Sequence, residues 1–203
     1  FIRYCSTSNV LLVTRNSNME VYDTNLNYIT SWSYVNGTSF GMVITGNTVF
    51  VGRYGGGAGI AKYDVNGVID GSWGTAGVAL SGISITGVTI GGIYIYATEY
   101  VGGRIYKLLL SDGTLVDTYN IGLDGPMSIA YHDGYLYVSE CNNGGANGKV
   151  SKYTTTGTFV TSKGSYPDVN DTMIAYNHAW IVCGNAGGGG FPMVNTIQVI
   201  PEF

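Results

Sequence analysis

The sequence is poor in charged residues, proline and cysteine, and it contains no long apolar run. Charged residues make up 11% of the chain, against about 25% in an average soluble protein. The net charge of −4, with Lys and Arg scattered rather than gathered in a stripe, argues against nucleic-acid binding. No apolar run approaches the roughly 20 residues of a transmembrane helix. No segment has the apolar periodicity of a helix, so we expect an all-β chain with a neutral, polar surface.

The sequence also lacks a signal peptide. It begins inside an expected strand, without an initiator methionine. This favours a processed or truncated product, so the missing signal says nothing about secretion. The three cysteines are Cys5, Cys141 and Cys183, and an odd count leaves at least one of them unpaired within the chain.

The chain is rich in glycine and tyrosine, which recur in a repeat of four short strands. Residues 127–162 show the unit most clearly, with Asp133-Gly134 as the turn of a two-residue hairpin. The unit recurs about every 40–45 residues, and four strands per repeat of that length are typical of a β-propeller. We predict a single β-propeller domain over residues 1–203 with five blades, the last lacking its outer strand. A β-sandwich or a β-solenoid is the alternative. The predicted blades are 1–33, 40–74, 82–120, 126–163 and 172–203.

The repeat resembles a known group of propellers. The stretches IAYHDGYLYVSE…GKVSKYTTTGTFV, ITGNTVFVGR…GIAKYDVNGVI and IGGIYIYATE…GRIYKLLLSDGTLV look like the repeats of NHL, gluconolactonase-like and YncE-like propellers. The resemblance covers nearly the whole chain and is weakest in the first and last blades. It implies the propeller fold and leaves function open, because enzymes, binders and structural modules share these repeats.

Four charged residues end the second strand of successive blades: Arg15, Arg53, Glu99 and Glu140. We expect them on one face, near the central channel. They form either a site for a polar ligand or Ca²⁺, or a ring of ion pairs between blades with Arg53–Glu99 as the natural pair. The arginines favour the ion-pair ring. Since Glu99 and Glu140 are the only acids expected near the channel, we assign no catalytic or metal residue and expect no cofactor.

Weaker predictions concern two cysteines, two glycosylation sequons and a set of aromatic residues. Cys141 and Cys183 are close in the repeat register, so a disulfide between them would be feasible in an oxidising compartment. Asn36 and Asn170 begin Asn-x-Thr sequons and are expected in exposed loops, where N-glycosylation occurs. The recurring aromatic residues are typical of packing between blades, with sugar stacking as the alternative. They are Tyr22, Trp32, Tyr63, Trp73 and Tyr153.

The last blade is expected to end on an exposed edge strand, with Val194, Ile197 and Val199 at the edge. Such an edge is a template for another chain. With the low charge and the glycine-rich loops, it leads us to expect a non-enzymatic, extracellular or cell-surface structural or adhesive module that self-associates or binds other surface proteins, as in a filament. A glycan-binding or ligand-binding propeller is the alternative, and a lactonase- or glycosidase-type enzyme is the third reading.

Overall fold

Five antiparallel sheets follow one another along the chain in the computed structural model. The structure describes the backbone of residues 1–15, 17–34, 37–55, 57–141, 148–166, 169–175, 178–183 and 196–201, and the side chains of these ranges up to residue 164. We number the sheets blade 1 to blade 5 in chain order. The described residues contain no helix able to cross a bilayer.

The first three blades have four strands each. Blade 1 contains β1 (Ile2–Cys5), β2 (Val10–Arg15), β3 (Asn18–Asp23) and β4 (Tyr28–Ser33). Blade 2 contains β5 (Thr38–Thr45), β6 (Thr48–Tyr54), β7 (Gly59–Asp64) and β8 (Val78–Ala79). Blade 3 contains β9 (Ile85–Gly91), β10 (Tyr94–Glu99), β11 (Arg104–Leu109) and β12 (Leu115–Asn120).

The last two blades differ in strand number. Blade 4 contains β13 (Pro126–His132), β14 (Tyr135–Glu140), β15 (Gly148–Thr154) and β16 (Phe159–Tyr166). Blade 5, within the described residues, contains β17 (Val169–Ala175), β18 (His178–Cys183) and β19 (Thr196–Pro201). In every blade the strands pair in chain order, and the first strands of successive blades lie side by side. This arrangement confirms the predicted β-propeller, and within the described residues the last blade has three strands.

The hairpin predicted at Asp133-Gly134 is present. His132 pairs with Tyr135, and the two residues between them have positive φ values of 45° and 79°. Both signs are those of a type I′ turn, whose twist matches that of the flanking strands. The strong local signal was therefore sufficient to predict this turn.

The fourth strand of blade 2 is interrupted. We expected Val68–Trp73, and Ile69 does form a bridge with Tyr63, but the continuous paired strand is Val78–Ala79. The Asp70 carboxylate accepts hydrogen bonds from the backbone and hydroxyl of Ser72 and forms an ion pair with Lys62 at 2.8 Å. These bonds hold residues 70–73 in a turn, so the pairing that begins at Ile69 resumes only at Val78.

Apolar side chains pack between adjacent blades and form the core. One cluster joins blades 1 and 2, a second joins blades 2 and 3, and a third joins blades 3 and 4. Each cluster takes residues from one face of a sheet and from the opposite face of the next. A blade therefore buries its apolar faces only against neighbours, as expected for a repeat architecture.

An aromatic side chain near the end of each of the first three blades holds the next blade in place. Trp32 and Trp73 donate from Nε1 to the carbonyls of Val65 (3.3 Å) and Leu110 (3.2 Å), and the Tyr119 hydroxyl donates to the carbonyl of Thr155 (2.8 Å). We call this contact the latch.

A glycine of positive φ lies against each ring of the latch: Gly67, Gly113 and Gly157. A Cβ atom at these positions would overlap the ring. The packing role predicted for Trp32 and Trp73 is thereby confirmed.

Candidate binding site at the mouth of the propeller

The four charged residues predicted as a ring occupy one register position. Each lies at the end of the second strand of its blade or one residue before it, and each pairs with the first or second residue of the third strand. The pairs are Arg15–Asn18, Arg53–Gly59, Glu99–Arg104 and Glu140–Lys149. The end of the blade at which these residues lie is called the mouth below.

Three of the four charged side chains form ion pairs within their own blades: Arg15, Glu99 and Glu140. Glu99 forms an ion pair with Arg104 at 3.3 Å and accepts a hydrogen bond from the Tyr106 hydroxyl at 2.8 Å. This corrects the predicted Arg53–Glu99 pair between blades. The physical reason is the strand register, which places Arg104 directly across from Glu99.

Arg15 and Arg53 differ sharply in environment. The Arg15 side chain is 74% exposed and lies 3.1 Å from Glu20 of its own blade. A hydrogen bond from Tyr22, followed by that from Arg15, lowers the pKa of Glu20 below its usual value. Arg53 is fully buried, and burial lowers the pKa of its guanidinium. The four charged positions therefore do not form a uniform ligand site, because Arg15 is exposed and Arg53 is buried.

The Glu140 side chain is buried and joins two segments of the chain. Its side chain accepts hydrogen bonds from the Ser151 hydroxyl at 2.6 Å and the backbone N–H of Asp124 at 2.9 Å, and Lys149 lies 3.5 Å away. Only 1% of the residue is exposed. A carboxylate with three donors around it is stabilised in place and ties the loop before blade 4 to the third strand of that blade.

A pocket of about 230 Å³ lies at the mouth beside this ring. It is lined by Phe40, Tyr54, Thr86, Tyr100 and Met127. Tyr54 and Tyr100 directly follow Arg53 and Glu99 in the chain. The ring of Tyr54 lies between its neighbours, with centroids 5.3 Å from Phe40 and 5.9 Å from Tyr100. The wall of the pocket is therefore mainly aromatic.

The other lining residues come from β-bulges. The first strands of blades 2, 3 and 4 each have one extra residue opposite the second strand, and these residues are Phe40, Thr86 and Met127. A bulge redirects a side chain out of the regular alternation. Here three bulges direct side chains from neighbouring blades toward one pocket.

Close approach of the first strands brings the bulges together. A Cβ at Gly41 would lie 2.9 Å from the carbonyl oxygen of Thr86, and one at Gly87 would lie 2.7 Å from the amide nitrogen of Ile129. Thr86 in turn donates from Oγ1 to the carbonyl of Pro126 at 2.6 Å. Glycine at these two positions permits the backbones of adjacent blades to touch.

Polar atoms near the pocket are few. Burial raises the pKa of the Tyr100 hydroxyl, and the neighbouring Cys141 thiol adds to this effect. Cys141 is buried and has a free thiol. The predicted disulfide between Cys141 and Cys183 is therefore not formed in this structure.

The remaining predicted residues are placed as follows. Asn36 and Val194 lie outside the described residues. Asn170 lies within β17, at the irregularity between Val169 and Asp171, and not in a loop as expected. Ile197 and Val199 lie in β19. Among the described residues no group of three or more His, Cys, Asp or Glu is arranged to hold a metal, and Ca²⁺ binding stays a prediction.

Sequence reasoning missed the lining of the pocket. The repeat register that selects Arg53, Glu99 and Glu140 would have selected Tyr54, Tyr100 and Cys141 one position later. Phe40 and Met127 had no comparable signal, because nothing in the sequence shows where a strand has the extra residue of a bulge.

This chain is similar to known proteins in structure but not in sequence. No family model matches the chain, and no curated protein matches its sequence. Among solved structures, BamB from Moraxella catarrhalis is similar, with a TM-score of 0.60 at 12% identity over 96% of this chain and 57% of that chain. Hydrazine synthase from Kuenenia stuttgartiensis is similar with a TM-score of 0.75 at 12% identity over 98% of this chain and 62% of that chain.

Both similar structures are β-propeller-type folds. The chain spans about three fifths of the length of each. At this level of identity the likeness concerns the fold alone. The chain is a β-propeller, as the repeat predicted.

Proposed function

We propose that this chain is a non-enzymatic, extracellular β-propeller that serves as a structural or adhesive module and associates with further copies of itself, as a repeating subunit of a surface filament. The observation that carries the proposal is a group of exposed apolar side chains on blade 1. Ile2, Tyr4 and Tyr28 are 61%, 52% and 58% exposed. Contiguous apolar surface of this kind is typical of protein–protein contact sites.

The state of the charged residues supports a structural role. Glu99 and Glu140 are the acids expected nearest the channel, and both are held by donors of their own blade. A general acid or base needs free access to a substrate proton. A lactonase- or glycosidase-type activity is accordingly the least favoured candidate, and hydrolysis that depends on Glu99 and Glu140, lost in Glu99→Gln/Glu140→Gln, would revive it.

The edge of blade 5 offers one route for self-association. β19 pairs with β18 on one side and is the last strand of its sheet within the described residues. Addition of a strand from another chain at such an edge satisfies backbone hydrogen bonds. We propose that Ile197 and Val199, with Val194, take part in this contact.

Sedimentation velocity over a range of protein concentrations tests the proposal, with electron microscopy of the same samples. We expect the average mass to rise with concentration and extended or ring-shaped assemblies to appear. A single monomeric species at every concentration would contradict self-association. Mass spectrometry of the native material would test the predicted N-glycans at Asn36 and Asn170, and with them the extracellular location.

A second candidate function is ligand or glycan binding at the mouth, and the aromatic pocket favours it. Phe40, Tyr54 and Tyr100 line this cavity, and tyrosines supply large contact area at low entropic cost. The NHL-type character of the repeats is a further proposal, and propellers of that kind include binders.

A glycan array tests the second candidate. We expect binding by the native chain, loss of binding in Tyr54→Ala, and no change in Tyr135→Ala. Tyr135 lies at the hairpin at the opposite end of blade 4, so it serves as a matched control. Equal binding by both variants would exclude the pocket, and an array without signal would exclude glycans of the classes it displays.

A further inference from the structure

We infer that the mouth of this propeller binds the opposite end of a second copy of the chain, so that copies stack head to tail. This inference rests on the proposed self-association and identifies its two contact surfaces. We call the opposite end the hairpin end. In blades 1 to 4 it contains the turns that join the first strand to the second and the third strand to the fourth.

The pocket at the mouth can receive an apolar side chain. Its volume is about 230 Å³, its walls are mainly aromatic, and Thr86 and Met127 complete the lining. A cavity of about 150 Å³ is enough to hold a benzene ring. The pocket, which blades 2, 3 and 4 form together, therefore has room for one large aliphatic or aromatic side chain.

Ion pairs at the mouth present their basic side chains to solvent. The side chain of Arg104 is 44% exposed, whereas that of its partner Glu99 is 14% exposed. The side chain of Lys149 is 43% exposed, whereas that of Glu140 is 1% exposed. The ion pair of blade 1 has the same orientation. At these three pairs, a partner that approaches the mouth meets the basic groups before the carboxylates.

The hairpin end carries the opposite charge. Each of the first four blades has an aspartate in or beside a turn there: Asp23, Asp64, Asp112 and Asp133. The turns themselves contain no lysine or arginine in these blades. A hydrogen bond from the Asn27 side chain holds the pKa of Asp23 below its usual value, so this carboxylate is charged at neutral pH. The Asp133 side chain is 79% exposed.

Exposed apolar side chains lie beside two of these acids. Val68 is 65% exposed, and its backbone N–H donates to the Asp64 carboxylate at 2.8 Å. Ile93 is 66% exposed, and its carbonyl accepts from the backbone N–H of Leu110, two residues before Asp112. The hairpin end thus offers an apolar side chain next to a carboxylate. The mouth offers an apolar pocket next to exposed bases.

A second copy fits this pairing because every copy carries both surfaces. The mouth and the hairpin end lie at opposite ends of the same strands, so one molecule cannot join its own two ends. Two mouths, or two hairpin ends, would bring like charges together, which opposes association. Contact between two different surfaces of identical subunits is heterologous, and its repetition along one direction generates a filament.

Two double variants of the 203-residue chain test the contact. Val68→Lys/Ile93→Lys places two bases at the hairpin end. Tyr54→Glu/Val101→Glu places two acids at the mouth, where Val101 lies in the loop between β10 and β11. All four side chains are exposed, so both variants should fold. Like charges across the contact should weaken the association of each variant with itself by at least about tenfold in sedimentation.

A mixture of the two variants identifies the contact as head to tail. Each variant keeps one native surface, so the mixture should contain complexes with at least one copy of each, although neither variant associates alone. The control Thr30→Lys/Ser162→Lys adds the same charge as the first variant. It changes exposed positions in the middle of β4 and β16, away from both ends, and should associate as the native chain does.

The outcomes separate this inference from the proposed self-association. Association of either variant alone with native affinity would overturn the inference and leave self-association standing through another contact. A mixture that stays monomeric, like its two components, would also overturn the inference. A native chain that is monomeric at every concentration would overturn both. If a double variant does not fold, Ile93→Lys and Val101→Glu, at the more exposed position of each pair (66% and 79%), repeat the test.

Discussion

Replacement of Gly67 by alanine tests the latch between blades 1 and 2. Gly67 has φ of +86°, and a Cβ atom there would overlap the ring of Trp32. Two costs arise. A non-glycine residue in the left-handed region costs about 1–2 kcal/mol, and an added methyl group in a closely packed site costs about 1–3 kcal/mol. We expect Gly67→Ala to lower the free energy of unfolding by about 2–4 kcal/mol, after the stabilising loss of unfolded-state entropy.

A matched control separates the two costs. Gly82 has φ of +85°, and a Cβ atom there would have no heavy atom within 4 Å. Gly82→Ala therefore carries the backbone strain without the collision, and we expect it to cost about 1 kcal/mol. The difference between the two variants measures the contact between Gly67 and Trp32.

Urea unfolding at constant pH supplies the measurement, with the dependence on denaturant expected to be unchanged. A double-mutant cycle with Trp32→Ala completes it. With the ring removed, Gly67→Ala should cost no more than Gly82→Ala, since only the strain remains. Equal destabilisation by Gly67→Ala and Gly82→Ala in the native background would refute the latch as a packing contact.

Three further predictions concern side chains with named partners. Glu140→Gln leaves the donors around a buried carboxylate poorly paired, and chemical unfolding should show a loss of about 2–3 kcal/mol. Tyr119→Phe removes a hydrogen bond to the next blade, and the same assay should show a loss of about 1 kcal/mol. Hydrogen bonds from Lys62 and then Ser72 lower the pKa of Asp70 from 3.8 to about 2. Its contribution to stability is thus complete above pH 3.8 and is lost as the pH falls toward 2; an NMR titration should find this low pKa in the native chain and a higher one in Lys62→Met. An Asp70 pKa that stays at about 2 in Lys62→Met would contradict the assigned cause. An unchanged free energy of unfolding in Glu140→Gln or Tyr119→Phe would contradict the stabilising role of the replaced side chain.

Much of the fold was predictable because the strands and turns of a propeller repeat depend on short stretches of sequence. Four strands per repeat, the Asp133-Gly134 hairpin and the aromatic residues Trp32 and Trp73 all follow from short segments and their spacing. Alternation of side chains along a strand depends only on backbone geometry. For the same reason the sequence was sufficient to place Arg15, Arg53, Glu99 and Glu140 at one position of their blades.

The partners of those residues were not predictable in the same way. Which side chain a charged residue contacts depends on the register between strands, and this register brings Arg104 to Glu99 within one blade. The turn held by Asp70 interrupts the outer edge of blade 2 between Ile69 and Val78.

The sequence by itself determined the repeat, the strand order and the apolar face of each blade, since these depend on composition and period. Only the tertiary structure decided which faces are covered and which side chains meet. The mouth pocket exists because bulges in three blades direct Phe40, Thr86 and Met127 to one place. Val49 and Val51 are fully buried because blade 1 packs against them, and such burial is a property of the packed molecule.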